Sequence, residues 1–235
     1  MEENTLEVNG RRLPEEDSLP SAFVYKDMWV QQVPESFDVF KDFLNKIKPK
    51  RILEIGTADG GLICFLRDYL NEIGLRDSRI MTFDVEERGH YNDKLRSNNI
   101  EVNVIDIFSA PPKHTVAEEV FVPHPWSPFM AWTLNRPELV KPYIQGEGVT
   151  LVLCDGGYKI GELAVLSPLL KSGDFIMAHD YVDNQDLWER EYKDKIWNWC
   201  EVNEEQISKH CEQNNLKPYM KNKFDKVVWA CRRKQ

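Results

Sequence analysis

A glycine turn with an acid ahead of it is the first stretch of the sequence suited to binding a ligand. Glu54, Gly56 and Gly60 follow the pattern E-x-G-x-x-x-G. Because glycine has no Cβ and tolerates positive φ, a ligand crossing this turn would contact bare backbone and the free N–H groups of the next helix. A dinucleotide fingerprint needs a second glycine two residues after the first, and that glycine is absent here. Glu54 would repel phosphate and suit an ammonium group.

Further acids lie at the predicted carboxyl ends of two more strands. Asp84 ends a strand predicted at residues 79–85, and Asp106 ends one predicted at 102–106. In parallel α/β sheets ligands bind outside this edge, where an acid can accept hydrogen bonds from both ribose hydroxyls. Each acid alone could be a solvated strand end or a helix cap. Together with Glu54 and the glycine turn, they favour an adenosine site.

A second polar group is predicted where the fourth and fifth strands end. Asp155 leaves the fourth strand, and His179 and Asp180 close the fifth. Hard divalent cations such as Mg²⁺ or Mn²⁺ prefer carboxylate oxygens, and a bound cation would hold a substrate hydroxyl and lower its pKa. Asp155 and Asp180 are therefore candidate metal ligands, whereas the imidazole of His179 suits softer metals. The alternative is that both acids cap the segments that follow them.

Hydrophobic periodicity and turn residues predict the elements that position these groups. Strands are predicted at 51–55, 79–85, 102–106, 149–154 and 174–180, with a closing pair at 216–220 and 226–231. Helices are predicted at 34–47, 62–70 and 160–171, and through most of 184–214 with a break near 202–203. This order predicts an α/β fold: a doubly wound, mostly parallel seven-stranded sheet with one antiparallel strand near the edge.

Composition divides the chain into an N-terminal extension or lid segment, residues 1–34, and a single catalytic domain, residues 35–235. The domain carries an insertion at 107–148 that is rich in proline and aromatic residues, which disordered segments usually lack. We expect the insertion to be ordered, with a short helix near 128–134. The aromatic segment 23–33 either packs over the core or covers a ligand.

Three aromatic residues of the insertion, Trp126, Phe129 and Trp132, are expected to form a wall of the acceptor pocket beside Asp155. Aromatic faces suit a sugar ring or a flat metabolite. The alternative is that these residues cover core surface or form a dimer contact.

The order of strands and helices, together with these motifs, resembles the class I S-adenosylmethionine-dependent methyltransferases, which have a Rossmann-like fold. Further features resemble the small-molecule O-methyltransferases grouped with cephalosporin hydroxylase and rhamnosyl O-methyltransferase. These features are the segment 32–35 before the first helix, the doubled Gly60-Gly61, Asp155-Gly156-Gly157 and His179-Asp180.

The resemblance implies S-adenosylmethionine as the cofactor. The methionine part would lie on Gly56, Thr57 and Gly60, with ribose on Asp84 and adenine near Asp106 and Ile107. The full set of expected cofactor-binding residues is Glu54, Gly56, Thr57, Gly60, Gly61, Asp84, Asp106 and Ile107. The same resemblance implies a divalent cation, Mg²⁺ or Mn²⁺, at Asp155 and Asp180.

The general base stays open among the expected catalytic residues, which are Asp155, Tyr158, Lys159 and His179. Relatives often carry histidine three residues after the first metal-binding acid, and here Tyr158 holds that position. A phenol with a pKa near 10 is a poor base unless a cation or Lys159 lowers that pKa. Lys159 would need its own pKa lowered by burial or by the metal, whereas His179 would not.

Composition narrows the function classes. A net charge of −9 makes nucleic acid an unfavourable partner. No apolar run is long enough to span a membrane, and the polar N-terminus and five scattered cysteines predict reduced thiols in a cytoplasmic protein. We therefore expect an S-adenosylmethionine-dependent O-methyltransferase acting on a hydroxyl of a sugar or other small metabolite.

Two alternatives remain from the sequence. One is a non-catalytic, methyltransferase-like protein that binds the cofactor, and the other is a nicotinamide-dependent oxidoreductase, which the glycine spacing disfavours. The sequence leaves the acceptor and the oligomeric state open, a homo-oligomer being one alternative.

Overall fold

A computed structural model of the 235-residue chain describes residues 7–8, 11–12, 22–109, 120–121, 131–193 and 200–235. Within these residues the main sheet has seven strands: β1 (Arg51–Ile55), β2 (Arg79–Asp84), β3 (Ile100–Val104), β4 (Thr150–Cys154), β5 (Phe175–His179), β6 (Leu216–Pro218) and β7 (Trp229–Lys234). The helices are α1 (Ser36–Ile47), α2 (Gly61–Glu72), α3 (His90–Ser97), α4 (Pro137–Gln145), α5 (Lys159–Leu166), α6 (Gln185–Glu191), α7 (Glu204–Gln213) and α8 (Lys221–Phe224).

The strands lie in the order β6-β7-β5-β4-β1-β2-β3. All neighbours are parallel except that β7 runs antiparallel to both β5 and β6. The predicted doubly wound sheet with one antiparallel strand near the edge is therefore confirmed. Because β1 and β4 are central, their carboxyl ends bring the glycine turn and the loop after Cys154 side by side.

The core lies on both faces of this sheet. Alternate residues of each central strand point to opposite faces, so Ile52 packs with α1 and α2 while Leu53 packs with α4, α5 and α7. Both faces are covered, which is why β1, β4 and β5 are buried at every residue.

Smaller elements flank the sheet. Phe23–Tyr25 and Met28–Val30 form an antiparallel hairpin, and Glu7–Val8 pairs with Arg11–Arg12. Ser167–Leu169 and Asp225–Val227 are short 3₁₀ turns that follow α5 and α8. None of the helices in the described part of the chain combines the length and the apolar character needed to cross a membrane.

Asparagine side chains cap α6 and α7. Asn184 is the N-cap of α6, and its side chain accepts a hydrogen bond from the Leu187 N–H at 2.9 Å. The predicted break near 202–203 is confirmed because Asn203 starts α7 with a reciprocal capping box to Gln206.

The predicted short helix near 128–134 is wrong for residues 131–134. Ala131–Leu134 is a strand that pairs antiparallel with Phe108–Ser109 and Val120–Phe121. The helix begins instead at Pro137, where a first-turn proline is tolerated because its missing N–H has no helical partner. Residues 110–119 and 122–130 of the insertion, with Trp126 and Phe129, lie outside the described residues, as does the side chain of Trp132.

Candidate active site

The glycine turn after β1 lies directly against the loop after β4. Gly56 has φ +86°, and a Cβ added there would lie 2.2 Å from the backbone oxygen of Asp155. Its N–H donates to Phe83 O at 2.9 Å, which ties the turn to β2. Only glycine satisfies both the backbone conformation and the close approach. The contact between Gly56 and Asp155 lies where two cavities adjoin.

The first cavity, of about 430 Å³, lies at the carboxyl ends of β1, β2 and β4. Of the expected cofactor-binding residues, Gly56, Asp84, Asp106 and Ile107 line it. Asp84 accepts the Ala58 N–H on Oδ2 at 2.7 Å and the Glu86 N–H on Oδ1 at 2.9 Å. These two hydrogen bonds hold the carboxylate in place. Because each carboxylate oxygen has two lone pairs, both oxygens can still accept hydrogen bonds from the hydroxyls of a ligand diol.

The second cavity, of about 330 Å³, adjoins the first and shares Gly56, Ala58, Asp155, Gly156 and Gly157 with it. Glu54, Thr57 and Gly61 of the expected set line this second cavity. Gly60 lines neither of the two: it precedes α2 at φ +84°, and a Cβ there would lie 2.5 Å from Leu95 Cδ1. Gly60 therefore shapes the turn, and its contact with the cofactor stays a prediction.

Glu54 is buried beneath the second cavity. Thr82 Oγ1 donates to Glu54 Oε2 at 2.6 Å, and Thr57 Oγ1 lies 2.5 Å from Thr82 Oγ1. Burial raises the pKa of Glu54 well above its ordinary value, with Thr82 opposing that rise. A ligand ammonium group placed beside Glu54 would favour its ionised form.

A cluster of charged residues lines the second cavity. Asp155, His179 and Asp180 each offer one ligand atom, and these three atoms lie within 4.8 Å of one another. His179 Nδ1 lies 2.9 Å from Asp155 Oδ1 and 3.4 Å from Asp180 Oδ1. Burial alone would lower the pKa of His179, but the two carboxylates outweigh it and the pKa lies above its ordinary value.

Lys159 is held by two carboxylates on the same side of the cavity. Its Nζ lies 3.0 Å from Asp180 Oδ2 and 2.6 Å from Glu201 Oε2. Burial would lower the pKa of Lys159, yet the surrounding acids raise it above its ordinary value. Lys159 therefore stays protonated at neutral pH and does not suit the role of general base.

Tyr158 is also unsuited to act as the base. It lines the first cavity and not the second, so it lies beside Ile107 rather than beside the charged cluster. Burial raises the pKa of Tyr158 to about 12. Of the candidate bases named from the sequence, this leaves His179, whose Nδ1 lies against Asp155 and Asp180.

Two residues of the cluster carry no local sequence signal. Glu201 reaches the cavity because Tyr181 and Val202 form a parallel bridge beside the main sheet. Gln32 comes from the segment before α1, and its Nε2 donates to Asp155 Oδ2 at 2.9 Å. Both contacts join segments far apart in the chain, which residue spacing does not reveal.

The donor set at this cluster fits a divalent cation. Ligands at 2.0–2.1 Å and at right angles around Mg²⁺ lie about 3 Å apart, close to the two separations measured from His179 Nδ1. With His179 neutral, Asp155, Asp180, Glu201 and Lys159 carry a formal charge of −2, which one divalent cation balances. Sequence reasoning named Asp155 and Asp180 as candidate ligands, and the geometry adds His179 as a third candidate.

Glu162 lies under the loop that separates the two cavities. Its Oε2 accepts the Gly156 N–H and its Oε1 accepts the Tyr158 N–H, each at 3.2 Å. The side chain is 2% exposed, and burial raises its pKa from 4.5 to about 7. Glu162 therefore holds this loop from below and takes up a proton on folding near neutral pH.

We expect Glu162→Gln to remove one pH-dependent contribution to stability. Between pH 4.5 and about 7 the folded protein keeps a proton on Glu162 that the unfolded chain has lost, so the free energy of unfolding falls as pH rises. Wild type should lose about 3 kcal/mol of its free energy of unfolding between pH 4.5 and about 7. Glu162→Gln does not have this loss, so its stability relative to wild type should rise by the same amount over that pH range. Urea unfolding at several pH values, in EDTA, measures the difference. The exposed Glu138→Gln should show no such trend, and a Glu162→Gln difference that is flat with pH would contradict the assignment.

Comparison with known proteins gives a fold but no sequence relative. No family model matches the chain, and no curated protein matches it. Solved structures of CmcI do match: the structure with SAH is 15% identical over 92% of this chain and 84% of that one, with a TM-score of 0.51. The apo structure matches at 15% identity and a TM-score of 0.55, over 90% and 76% of the two chains.

A third CmcI structure, described as holding Mg-SAM, matches at 15% identity and a TM-score of 0.51, over 89% of this chain and 76% of that one. This chain therefore has the class I methyltransferase fold of the CmcI structures, as the resemblance in the sequence predicted.

Proposed function

We propose that this protein transfers a methyl group from S-adenosylmethionine to a hydroxyl of a sugar or other small metabolite, with the help of a divalent cation. The observation that carries the proposal is the pair of adjoining cavities. One contains the rigidly held Asp84 carboxylate, and the other contains the cluster of Asp155, His179 and Asp180. Two of the matching CmcI structures, described as holding SAH and Mg-SAM, support the same choice of ligands.

The first cavity suits the adenosine part of the cofactor. Asp84 would accept both ribose hydroxyls, and Asp106 and Ile107 would contact adenine. The Oδ1 atom of Asp106 already accepts the Phe108 N–H at 2.9 Å, so this carboxylate is also oriented. Glycine at position 56 lets the turn after β1 lie against the backbone of Asp155, where the two cavities adjoin.

The second cavity suits the amino-acid part and the acceptor. Glu54 would receive the ammonium group, with Thr57 and Gly61 beside it, while Asp155, His179 and Asp180 would hold the cation. When bound, the cofactor supplies an electrophilic methyl group and the cation lowers the pKa of the acceptor hydroxyl. Lys159 stays protonated and fixes Asp180, so Asp155 and His179 are the expected catalytic residues that remain, both beside the proposed cation position.

A non-catalytic protein that only binds the cofactor is the second candidate. The raised pKa values of Tyr158 and Lys159 favour it, because neither residue serves as a base. Transfer of a labelled methyl group to a metabolite extract separates the two candidates. Binding of S-adenosylhomocysteine without any transfer, in the presence of Mg²⁺ or Mn²⁺, would support the binding protein.

We expect Asp84→Ala to weaken the binding of S-adenosylhomocysteine by about 1.5–3 kcal/mol, because hydrogen bonds to a charged acceptor are lost. Titration calorimetry measures this change. Asp38→Ala is the matched control. The Asp38 side chain is 86% exposed, and its ion-pair partner Lys41 lines neither cavity. Unchanged affinity in Asp84→Ala would rule out the ribose assignment.

A further inference from the structure

We propose that Gln32 is a positioning residue of the cation cluster, so that the segment before α1 forms part of the active site. This inference rests on the cation-assisted function proposed above. Gln32 is 2% exposed, although glutamine is usually a surface residue. Its buried amide contacts two residues on separate strands and loops, Trp229 and Asp155.

The orientation of the Gln32 amide is fixed by Trp229. The indole Nε1–H of Trp229 can only donate, and it donates to Gln32 Oε1 at 2.7 Å. The amide nitrogen must therefore face the opposite way, where it donates to Asp155 Oδ2 at 2.9 Å. The same nitrogen lies 3.4 Å from His179 Nδ1. An inverted amide would place two donors together at Trp229 and two acceptors together at Asp155.

This hydrogen bond gives the two oxygens of Asp155 different roles. Oδ2 is occupied by Gln32, whereas Oδ1 faces His179 Nδ1 and, with it, the candidate cation position. Asp155 would thus offer a single oxygen in a fixed direction. Residues that hydrogen-bond a metal ligand typically change metal affinity by 10–100-fold when they are replaced.

Trp229 also restrains the second ligand. Its ring lies 4.7 Å from the His179 ring, at an interplanar angle of 36°. His179 and Trp229 are register partners on β5 and β7. One fully buried tryptophan therefore packs against His179 and, through Gln32, sets the direction of Asp155.

The hairpin of Phe23–Tyr25 and Met28–Val30 places Gln32 by docking on α2. A Cβ at Gly61 would lie 2.4 Å from Val30 Cγ2 and 2.7 Å from the Trp29 backbone oxygen, so this docking needs glycine there. Tyr25 OH donates to Asp68 Oδ2 at 2.8 Å on the same helix. Gly61 thus allows the hairpin to lie against α2, and the hairpin in turn fixes the position of Gln32.

The test is Mn²⁺ binding by Gln32→Met, a variant that keeps the side-chain length and removes both hydrogen bonds. Titration followed by electron paramagnetic resonance should give a dissociation constant for Mn²⁺ about 10–100-fold above wild type. Calorimetry with S-adenosylhomocysteine, which reports folding and the cofactor contacts outside the cation cluster, should agree with wild type within about twofold. Gln185→Met is the matched control, because Gln185 is exposed on α6 and bonds only Glu189 among the described contacts.

A second variant, Trp229→Phe, removes the donor that orients Gln32 while Gln32 itself stays. It should also weaken Mn²⁺ binding and retain binding of S-adenosylhomocysteine. Wild-type Mn²⁺ affinity in Gln32→Met would overturn the positioning role and leave the proposed function intact. A wild-type protein that binds S-adenosylhomocysteine but no Mn²⁺ would overturn both the cation centre and the role of Gln32, whereas failure to bind S-adenosylhomocysteine would overturn the proposed function itself.

Discussion

Removal of divalent cations with EDTA is expected to lower methyl transfer by about a hundredfold or more, and added Mg²⁺ or Mn²⁺ should restore it. A cation in contact with the acceptor contributes several kcal/mol to the reaction, and each 1.4 kcal/mol is a factor of ten in rate. The expectation follows from the ligand atoms of Asp155, His179 and Asp180, which lie within 4.8 Å of one another. Release of labelled methyl product from a metabolite extract measures the effect.

Binding of S-adenosylhomocysteine provides the control for the chelation experiment. The residues expected to hold adenosine line the first cavity, away from His179 and Asp180, so EDTA should leave this affinity nearly unchanged. Asp180→Asn should resist rescue by added Mg²⁺ because it loses a charged ligand. Full activity in excess EDTA would refute the cation's role and leave the acids as contacts to the acceptor or to Lys159.

Replacement of Lys159 by methionine is expected to destabilise the protein by about 3–5 kcal/mol, since it leaves a buried acid without its cation. Lys159 is 7% exposed and contacts Asp180 and Glu201 at 3.0 and 2.6 Å. Urea unfolding of wild type and Lys159→Met in EDTA measures the difference. A loss of this size is a large fraction of the stability of a typical domain.

Two comparisons separate the charge effect from simple loss of packing. Lys193→Met removes a surface ion pair between Lys193 and Glu189, two side chains that are about half exposed, and should leave the free energy of unfolding close to that of wild type. Adding Glu201→Gln to Lys159→Met removes one of the unpaired charges and should recover part of the lost stability. If Lys159→Met loses under 1 kcal/mol, or if Glu201→Gln lowers its stability further, the pairing does not hold the cluster together.

Local sequence patterns were sufficient for the sheet and for the first cavity. The strands of the sheet are short apolar runs ended by turn residues, and the order of strands along the chain limits their arrangement to a doubly wound sheet. Asp84 and Gly56 were predicted correctly as residues of the strand-end rim because each directly follows, or ends, its own strand. Gly60 followed the same pattern but lies under the turn, against Leu95.

The charged cluster could be predicted only in part, because its contacts cross long stretches of chain. Gln32 and Asp155 are 123 residues apart, and Lys159 and Glu201 are 42 apart. No periodicity links such pairs, since hairpin docking and the bridge beside β5 bring them together. Lys159 stayed among the candidate bases for the same reason: its pKa depends in part on Glu201, whose proximity the sequence does not show.

The strand at Ala131–Leu134 shows a second limit of sequence patterns. Prolines and aromatic residues are common both at helix starts and in irregular loops, and they gave no sign that this segment pairs with Phe108–Ser109. That pairing joins residues more than twenty positions apart. The acceptor wall expected from Trp126, Phe129 and Trp132 stays a prediction.

Titration of the wild-type protein with S-adenosylhomocysteine, and in parallel with NAD⁺, tests the central claim most directly. Asp84, Gly56 and Glu54 predict saturable binding of one S-adenosylhomocysteine per chain, because the cavities offer a diol acceptor at one end and an acid for an ammonium group at the other. The same residues predict no binding of NAD⁺, whose pyrophosphate would lack its close-approach glycine and face buried acids. Binding of NAD⁺ without binding of S-adenosylhomocysteine, or binding of neither, would contradict the assignment of this protein as a methyltransferase.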